Sequence, residues 1–376
     1  MNRVVLFAFA AVICVSPISV SGSLTAAAKE APAAYKAPRN AFGQPDLSGN
    51  WSNASRTPES RDPALGNRLV YTPEEVKALE SAADREVEEG NEDVDPNLPA
   101  PKVGGEIKPG ASPIYAAIVG GVGGYDRGWL DPGSAVMKVN GEARTSLITT
   151  PNGQMPPRKS GAPVTSNSRA EFGQSFDSYE TRPMGERCIM GFGRNAGPPM
   201  FANGFYNNNY QFLQTPDTVA IVVEMVHDTR VIRLNSTHRT DGIRPWMGDS
   251  IGHWEGDTLV VETTNIPRRE AYRGSWEHLT VTEKFTRVGK NRLFYQFTLD
   301  DPSIWAKPWG GEYEFSPLNG VIYEYACHEG NYALPGILGG ARYEEAEAAK
   351  AAAEKAAAAA ATTPMVPAAS SKKGAK

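Results

Sequence analysis

Cysteine is scarce in this chain, with three among 376 residues, at positions 14, 188 and 327. None forms a Cys-x-x-Cys pair, which excludes a thioredoxin-type dithiol centre. Histidine is also rare. His227, His238, His253, His278 and His328 are the whole set, and none falls in a His-Glu-x-x-His zinc signature. Missing too are Gly-x-Ser-x-Gly, the elbow that exposes a nucleophilic serine, and the glycine-rich loops that cradle dinucleotides or phosphates. Positive charge is not in excess. A formal net charge of -5 and a pI near 5.7 remove the electrostatic basis for binding nucleic acid or an anionic membrane.

What is there is an ordinary globular composition, 40% hydrophobic and 22% charged, divided into unlike segments. The chain opens with "MNR", the apolar run "VVLFAFAAVICV" and the small residues of "SGSLTAAAKE". That run is too short to cross a bilayer as a mature helix, so residues 1–28 read as a removable secretory signal. Cys14 follows Ile13 rather than the small residue a lipid-anchoring cysteine needs, which argues against lipoprotein processing. The mature protein is then expected in the periplasm or outside the cell, with no integral membrane segment. Cys188 and Cys327 remain as an even pair in an oxidising compartment. One disulfide is expected, two buried thiols being the alternative.

Residues 29–45 are rich in Ala and Pro and read as a flexible leader. A single β-rich domain is expected over 46–342. Near its start, Thr72 as N-cap, Pro73 at the first helical position and Glu75 closing a capping box predict a helix that stops at Gly90. Residues 91–182 are Gly-, Pro- and Ser-rich with little periodicity, a long irregular segment that should wrap or lid something. From Tyr210 onward, "YQFLQ", "TVAIVVEMV", "RVIRL", "HWEGDTLVVETT", "LTVTEKFTRV", "NRLFYQFTLDD", "YEFSP" and "VIYEYAC" follow one another as strands between turn residues. Leu293, Tyr295, Phe297 and Leu299 share one face of theirs, the two-residue period of a half-buried strand. No helices intervene, so the expected fold class is mainly β. It is an antiparallel meander forming a barrel or strongly curved sheet, with one N-terminal helix. Over 343–376, "YEEAEAAKAAAEKAAAAAA" predicts an Ala-rich helix without an apolar stripe, followed by a tail disordered by composition.

The stretches "DLSGNW", "QTPDTVAIVVEMVHDTRVIRL", "WMGDSIGHWEGDTLVVETTNI" and "YEYACHEGNYALPGILGGAR" resemble a large family of secreted bacterial β-rich proteins, abundant in acidobacteria and proteobacteria. The likeness runs over about residues 45–345. It implies a secreted β-rich domain and brings no activity with it. Gly49-Asn50-Trp51 also resembles the G-x-W of the first strand in lipocalin and calycin barrels, which implies a calycin-like closure.

Two constellations suit proton-transfer chemistry. In "GDSIGHWEGDT", Glu255-Gly256-Asp257-Thr258 reads as a hairpin turn. Alternation places Ile251, His253 and Glu255 on one face and Trp254 on the other. Asp249 just before His253 is the arrangement that orients an imidazole as general base; a structural Asp–His bond is the alternative. In "YACHEGNY", a disulfide from Cys327 to Cys188 would bring Glu186, Arg187, Arg194 and Asn195 toward His328 and Glu329. His253, Asp249, His328, Glu329 and Arg187 are therefore the candidate catalytic residues. Glu255, Asn207, Tyr210, Tyr325 and Asn331 are the candidate ligand contacts. His253-x-Glu255, His328-Glu329 and His227-Asp228 supply metal-ligand types without a zinc spacing, so neither a metal nor another cofactor is expected. The best-supported expectation is a cofactor-independent lyase, isomerase or hydrolase acting on a small polyhydroxylated or aromatic molecule. The alternatives are a calycin-like carrier of a small ligand and a structural envelope protein.

Overall fold

The computed structural model describes residues 35–90, 130–162, 175–191, 194–195, 197–202, 204 and 206–362. The expected secretory signal, the start of the leader, much of the irregular segment and the final tail lie outside the described residues. Nine strands close into a barrel: β1 (Gly49–Ser52), β4 (Asn209–Gln214), β5 (Thr218–Val223), β6 (Thr229–Leu234), β7 (Asp249–Glu255), β8 (Thr258–Thr264), β9 (Thr280–Gly289), β10 (Arg292–Asp300) and β11 (Trp309–Pro317). Around the ring the order is β1-β11-β10-β9-β8-β7-β6-β5-β4. A separate two-stranded hairpin pairs β2 (Lys138–Val139) with β3 (Glu142–Ala143). The fold class is as expected, mainly β and calycin-like in its closure.

One pairing departs from a pure meander. β6 and β7 run parallel, and every other neighbour in the ring is antiparallel. Parity requires this, because direction must return to itself around a closed ring, so nine strands cannot all alternate. The chain meets the condition by carrying residues 235–248 back along the outside between β6 and β7. β1 is four residues long yet closes the barrel, pairing with β4 on one side and β11 on the other. Its Trp51 is buried and donates Nε1–H to the Leu47 carbonyl at 3.1 Å, with the Arg287 guanidinium over its ring at 5.6 Å.

Alternation decides what lies inside. Leu293, Tyr295, Phe297 and Leu299 of β10 face inward with Val281 and Phe285 of β9, Phe212 of β4 and Phe315 of β11. Their rings meet at centroid distances such as 4.9 Å for Phe285–Tyr295 and 5.5 Å for Phe212–Phe285, so the interior is filled with side chains. Gly311 belongs to this packing. A Cβ there would lie 2.5 Å from the Phe297 ring and 2.4 Å from the Leu147 carbonyl.

Several boundaries differ from the sequence expectation. Part of the expected leader is tied to the barrel: the Gln44 amide bonds the Thr215 and Pro216 carbonyls, and Ala37 is buried. "VIYEYAC" is no strand but an irregular segment, because β11 already has a partner on each side and a closed ring has no edge left. The C-terminal helix, α2 (Ala333–Thr362), starts ten residues early, seating Leu334, Ile337, Leu338 and Ala341 at i, i+3, i+4 and i+7 on the domain before it runs into solvent. The N-terminal helix, α1 (Pro73–Gly90), is as read: Glu75 N–H bonds the Thr72 hydroxyl at 3.2 Å, and Thr72 N–H bonds the Glu75 carboxylate at 2.8 Å. No helix among the described residues is long and apolar enough to cross a membrane.

Candidate active site

The two ends of the barrel are unlike. At one, β4–β5, β7–β8 and β9–β10 are joined by tight turns, Gly256-Asp257 and Lys290-Asn291 serving the last two. At the other lie the long connections: 53–208 between β1 and β4, 224–228 between β5 and β6, 265–279 between β8 and β9, and 301–308 between β10 and β11. Long connections on a rigid barrel are where binding and catalytic groups collect.

His253 and Glu255 fall at the tight-turn end, away from the long connections. Both lie on the outer face of β7 beside the Gly256-Asp257 turn, exposed, with His253 Nε2 and Glu255 Oε1 3.1 Å apart. The alternation is as read, with Trp254 opposite Leu259, but four residues of strand put Asp249 and His253 about 13 Å apart. Asp249 orients a different histidine. Its buried carboxylate meets His238 Nδ1 at 2.9 Å and also accepts from Arg233 at 2.7 Å and the Arg239 N–H at 2.8 Å. Burial opposes its ionisation, and these hydrogen bonds outweigh burial to hold the group below its usual value. His238 Nε2 in turn meets Glu262 at 3.1 Å. This set clasps the 235–248 crossover to the outside of the barrel.

The second constellation forms only in part. Cys188 and Cys327 are bonded, at a Cα separation of 5.6 Å. Asn331 lies against the bridge, its Nδ2 3.3 Å from Cys188 Sγ, while its Oδ1 caps the start of α2. His328 and Glu329, however, are exposed on the irregular segment, and Arg187 lies over the Tyr179 ring at 5.9 Å. Among the contact residues, Tyr210 is sealed in the barrel interior against Phe315, where burial raises its phenol. Asn207 offers a backbone carbonyl to Asn195, and Tyr325 stacks on Tyr206 while its N–H donates to His227 Nε2 at 2.8 Å. Of the two arginines expected from this segment, Arg187 stays at the Tyr179 ring and Arg194 meets the 265–279 connection.

Arg194 lies between Glu270 and Tyr272. Its Nη1 donates to the Glu270 carbonyl at 3.0 Å and its other Nη to the Pro198 carbonyl; the guanidinium sits over the Tyr272 ring at 5.0 Å, and the buried Nε–H has no hydrogen-bond partner among the described residues. Glu270 sits in the short turn Arg268–Glu270 of the 265–279 connection, half-buried. Burial pushes its carboxyl up to about 7, with Arg194 pulling it down and Asp228 pushing it further up; no hydrogen bond holds the carboxylate among the described residues. Asp228 begins the return into β6, its Oδ2 accepting the Gly191 N–H at 2.9 Å, and burial raises it to about 6. Tyr272 O–H donates to Glu59 at 2.6 Å. Two carboxyls poised around neutrality beside a guanidinium can take up and release protons and steady an anion.

The turn that presents Asp228 is strained. Val226 and His227 both adopt left-handed backbone, at φ 58° and 53°, a conformation especially unfavourable for a β-branched residue. Beneath it the barrel interior carries a charged pair, Arg230 with Glu283, both almost fully buried. Ser250 and Thr263 each take one further guanidinium donor, and Tyr295 O–H donates to Glu283 at 2.8 Å. Tyr295 and Tyr313 then clamp Met200, one accepting its N–H at 3.0 Å and the other donating to its carbonyl at 2.8 Å. This polar floor anchors the segment that carries Arg194.

A shallow polar groove of about 380 Å³ lies elsewhere, outside β9–β11, lined by residues including Lys284, Gln296 and Glu312. Its carboxylate is already taken by Arg144 at 2.9 Å, and its Lys284 amine lies 4.0 Å from Glu255. Among the described residues no three His, Cys, Asp or Glu side chains converge as metal ligands. Sequence reasoning passed over "NIPRREAYRG" altogether. The available signal was topological: Asp228 and Glu270 both sit in connections that leave the same end of a meander. No protein-family model, no curated protein and no solved structure matches the chain.

Proposed function

We propose that this protein is an extracytoplasmic, cofactor-independent acid–base enzyme acting on a small organic molecule at the long-loop end of the barrel. The observation that carries the reading is the Glu270 carboxyl, half-buried, raised to about 7 and without a hydrogen bond among the described residues, within the field of Arg194 and Asp228. A carboxyl of that kind exchanges protons with a bound substrate at neutral pH. Asp228 is the second proton-transfer group, and Arg194 steadies negative charge as it develops. Lyase, isomerase and hydrolase reactions all draw on this set. The N-terminal apolar run, read as a secretory signal, and the Cys188–Cys327 bridge support an oxidising compartment.

The test pairs the native protein with Glu270→Gln. Each is incubated with a small-molecule extract and the mixture is followed by mass spectrometry. The expected result is a compound consumed by the native protein and left intact by the variant, which melts as a folded protein. Identical profiles from both would overturn the reading. A carrier is the second reading, and the filled interior gives it a specific form: its ligand would sit at this same end, not inside the barrel. A compound that co-purifies and is returned unaltered would favour it.

A further inference from the structure

The donors of Arg194 are only partly used. A guanidinium has five N–H groups in a planar fork. Among the described residues two are engaged, both by backbone carbonyls, and no carboxylate is hydrogen-bonded to the group. Its buried Nε–H has no hydrogen-bond partner among them, an expensive condition for a charged donor. One face of the plane is covered by the Tyr272 ring, which itself packs against Phe201 at 5.9 Å. The nearest carboxyls do not neutralise it by contact. Glu270 offers its carbonyl rather than its carboxylate, and Asp228 is turned to the Gly191 N–H. Elsewhere Arg230 gives four of its five N–H groups to Glu283, Ser250 and Thr263, and Arg182 sets Nε and one Nη on Glu186. Arg287 also keeps a buried Nε beside two backbone carbonyls, but at the tight-turn end and with the Asp46 carboxylate 3.8 Å from its Nη1. Arg61, which also lacks a carboxylate, bonds carbonyl and hydroxyl oxygens through all three of its nitrogens.

We propose that the ligand of this site is a small carboxylate, its anion taken edge-on by Nε–H and the adjoining Nη–H of Arg194. This rests on the acid–base reading of the site and adds the class of molecule to it. The Nε edge of arginine matches the two oxygens of a carboxylate, which neither an amide nor an alcohol can do.

Benzoate and benzamide are matched in size and shape and differ at the group in question. Calorimetric titration of the full chain should give binding of benzoate about tenfold to a hundredfold tighter than of benzamide. Arg194→Gln should bring the two within about twofold, and Arg194→Lys, which keeps the charge but not the fork, should retain part of the preference. Equal binding of the two probes to the native protein would overturn the proposal, as would a preference that survives Arg194→Gln, or no binding of benzoate at millimolar concentration. Turnover in the extract assay separates the layers. If Glu270→Gln still loses activity when benzoate fails, the ligand class is wrong and the acid–base reading stands. If Glu270→Gln keeps full activity, the reading beneath has failed instead.

Discussion

Replacing Glu270 by Gln should make the protein more stable at pH 8 and leave it unchanged near pH 4.5. The carboxyl is raised from 4.5 to about 7, so the folded state holds its proton more tightly than the unfolded chain does. Its contribution to stability is therefore fully present below pH 4.5 and is lost as the pH climbs to 7, where the native state must carry a buried charge. A rise of that size corresponds to about 3 kcal/mol. The side chain is partly exposed and water screens some of the cost, which leaves about 2 kcal/mol at pH 8. Gln fills nearly the same space without ionising, and removing the negative charge also relaxes the pressure on Asp228. For a fold of this size, 2 kcal/mol raises the melting temperature by about 4–6 °C. Melting curves of both proteins at pH 4.5, 6 and 8, in one buffer series at constant ionic strength, measure the difference. If the gap between them does not open with pH, or if the variant is the weaker protein at pH 8, then burial is not what sets this carboxyl. A gain in stability together with a loss of turnover is the pattern expected of a group kept for chemistry at a structural cost.

Three further outcomes follow from named contacts. Arg230→Met should cost about 3–5 kcal/mol in denaturant unfolding, because it strands the Glu283 carboxylate in the barrel interior; a cost under about 1 kcal/mol would show that water reaches the pair. Reducing the Cys188–Cys327 bridge, or replacing both residues by Ala, should lower stability by up to about 5 kcal/mol for a sequence separation of 139, and a denaturation midpoint indifferent to reductant would contradict it. His253→Ala should change stability by less than about 0.5 kcal/mol and leave turnover intact, since the ring is exposed at the tight-turn end; a tenfold loss of turnover would move the active site there.

The barrel was largely legible because strand pairing writes itself into a short-range code. Leu293 to Leu299 alternate in the sequence and alternate in burial, and the glycine and asparagine turns after Glu255 and Gly289 sit where the chain reverses. What escaped was set by closure. Nothing local in "GNWS" says that four residues will be hydrogen-bonded on both sides, and nothing local in "VIYEYAC" says that a good strand sequence will find no edge to join. The Asn140-Gly141 turn of the β2–β3 hairpin was a local signal, and it was overlooked within a segment read as irregular.

The candidate site was illegible for the opposite reason. Proximity in sequence is a poor guide on a strand: Asp249 and His253 look adjacent, but the extended backbone separates them by about 13 Å. Proximity in space at a barrel mouth comes instead from residues that share nothing but the end at which their loops emerge. Asp228 and Glu270 are 42 positions apart, and Arg194 reaches them from a third segment whose position is set by Tyr295 and Tyr313 inside the barrel. The order of inference for such a chain therefore runs through the meander. Once the strands are assigned, each connection can be assigned to an end, and the charged residues of the long-loop end become the short list. Applied to this sequence, that step removes His253 and Glu255 and brings in Asp228 and Glu270. The disulfide, already expected, then supplies Arg194, because the Cys188 segment it pins is the one that runs on to that residue.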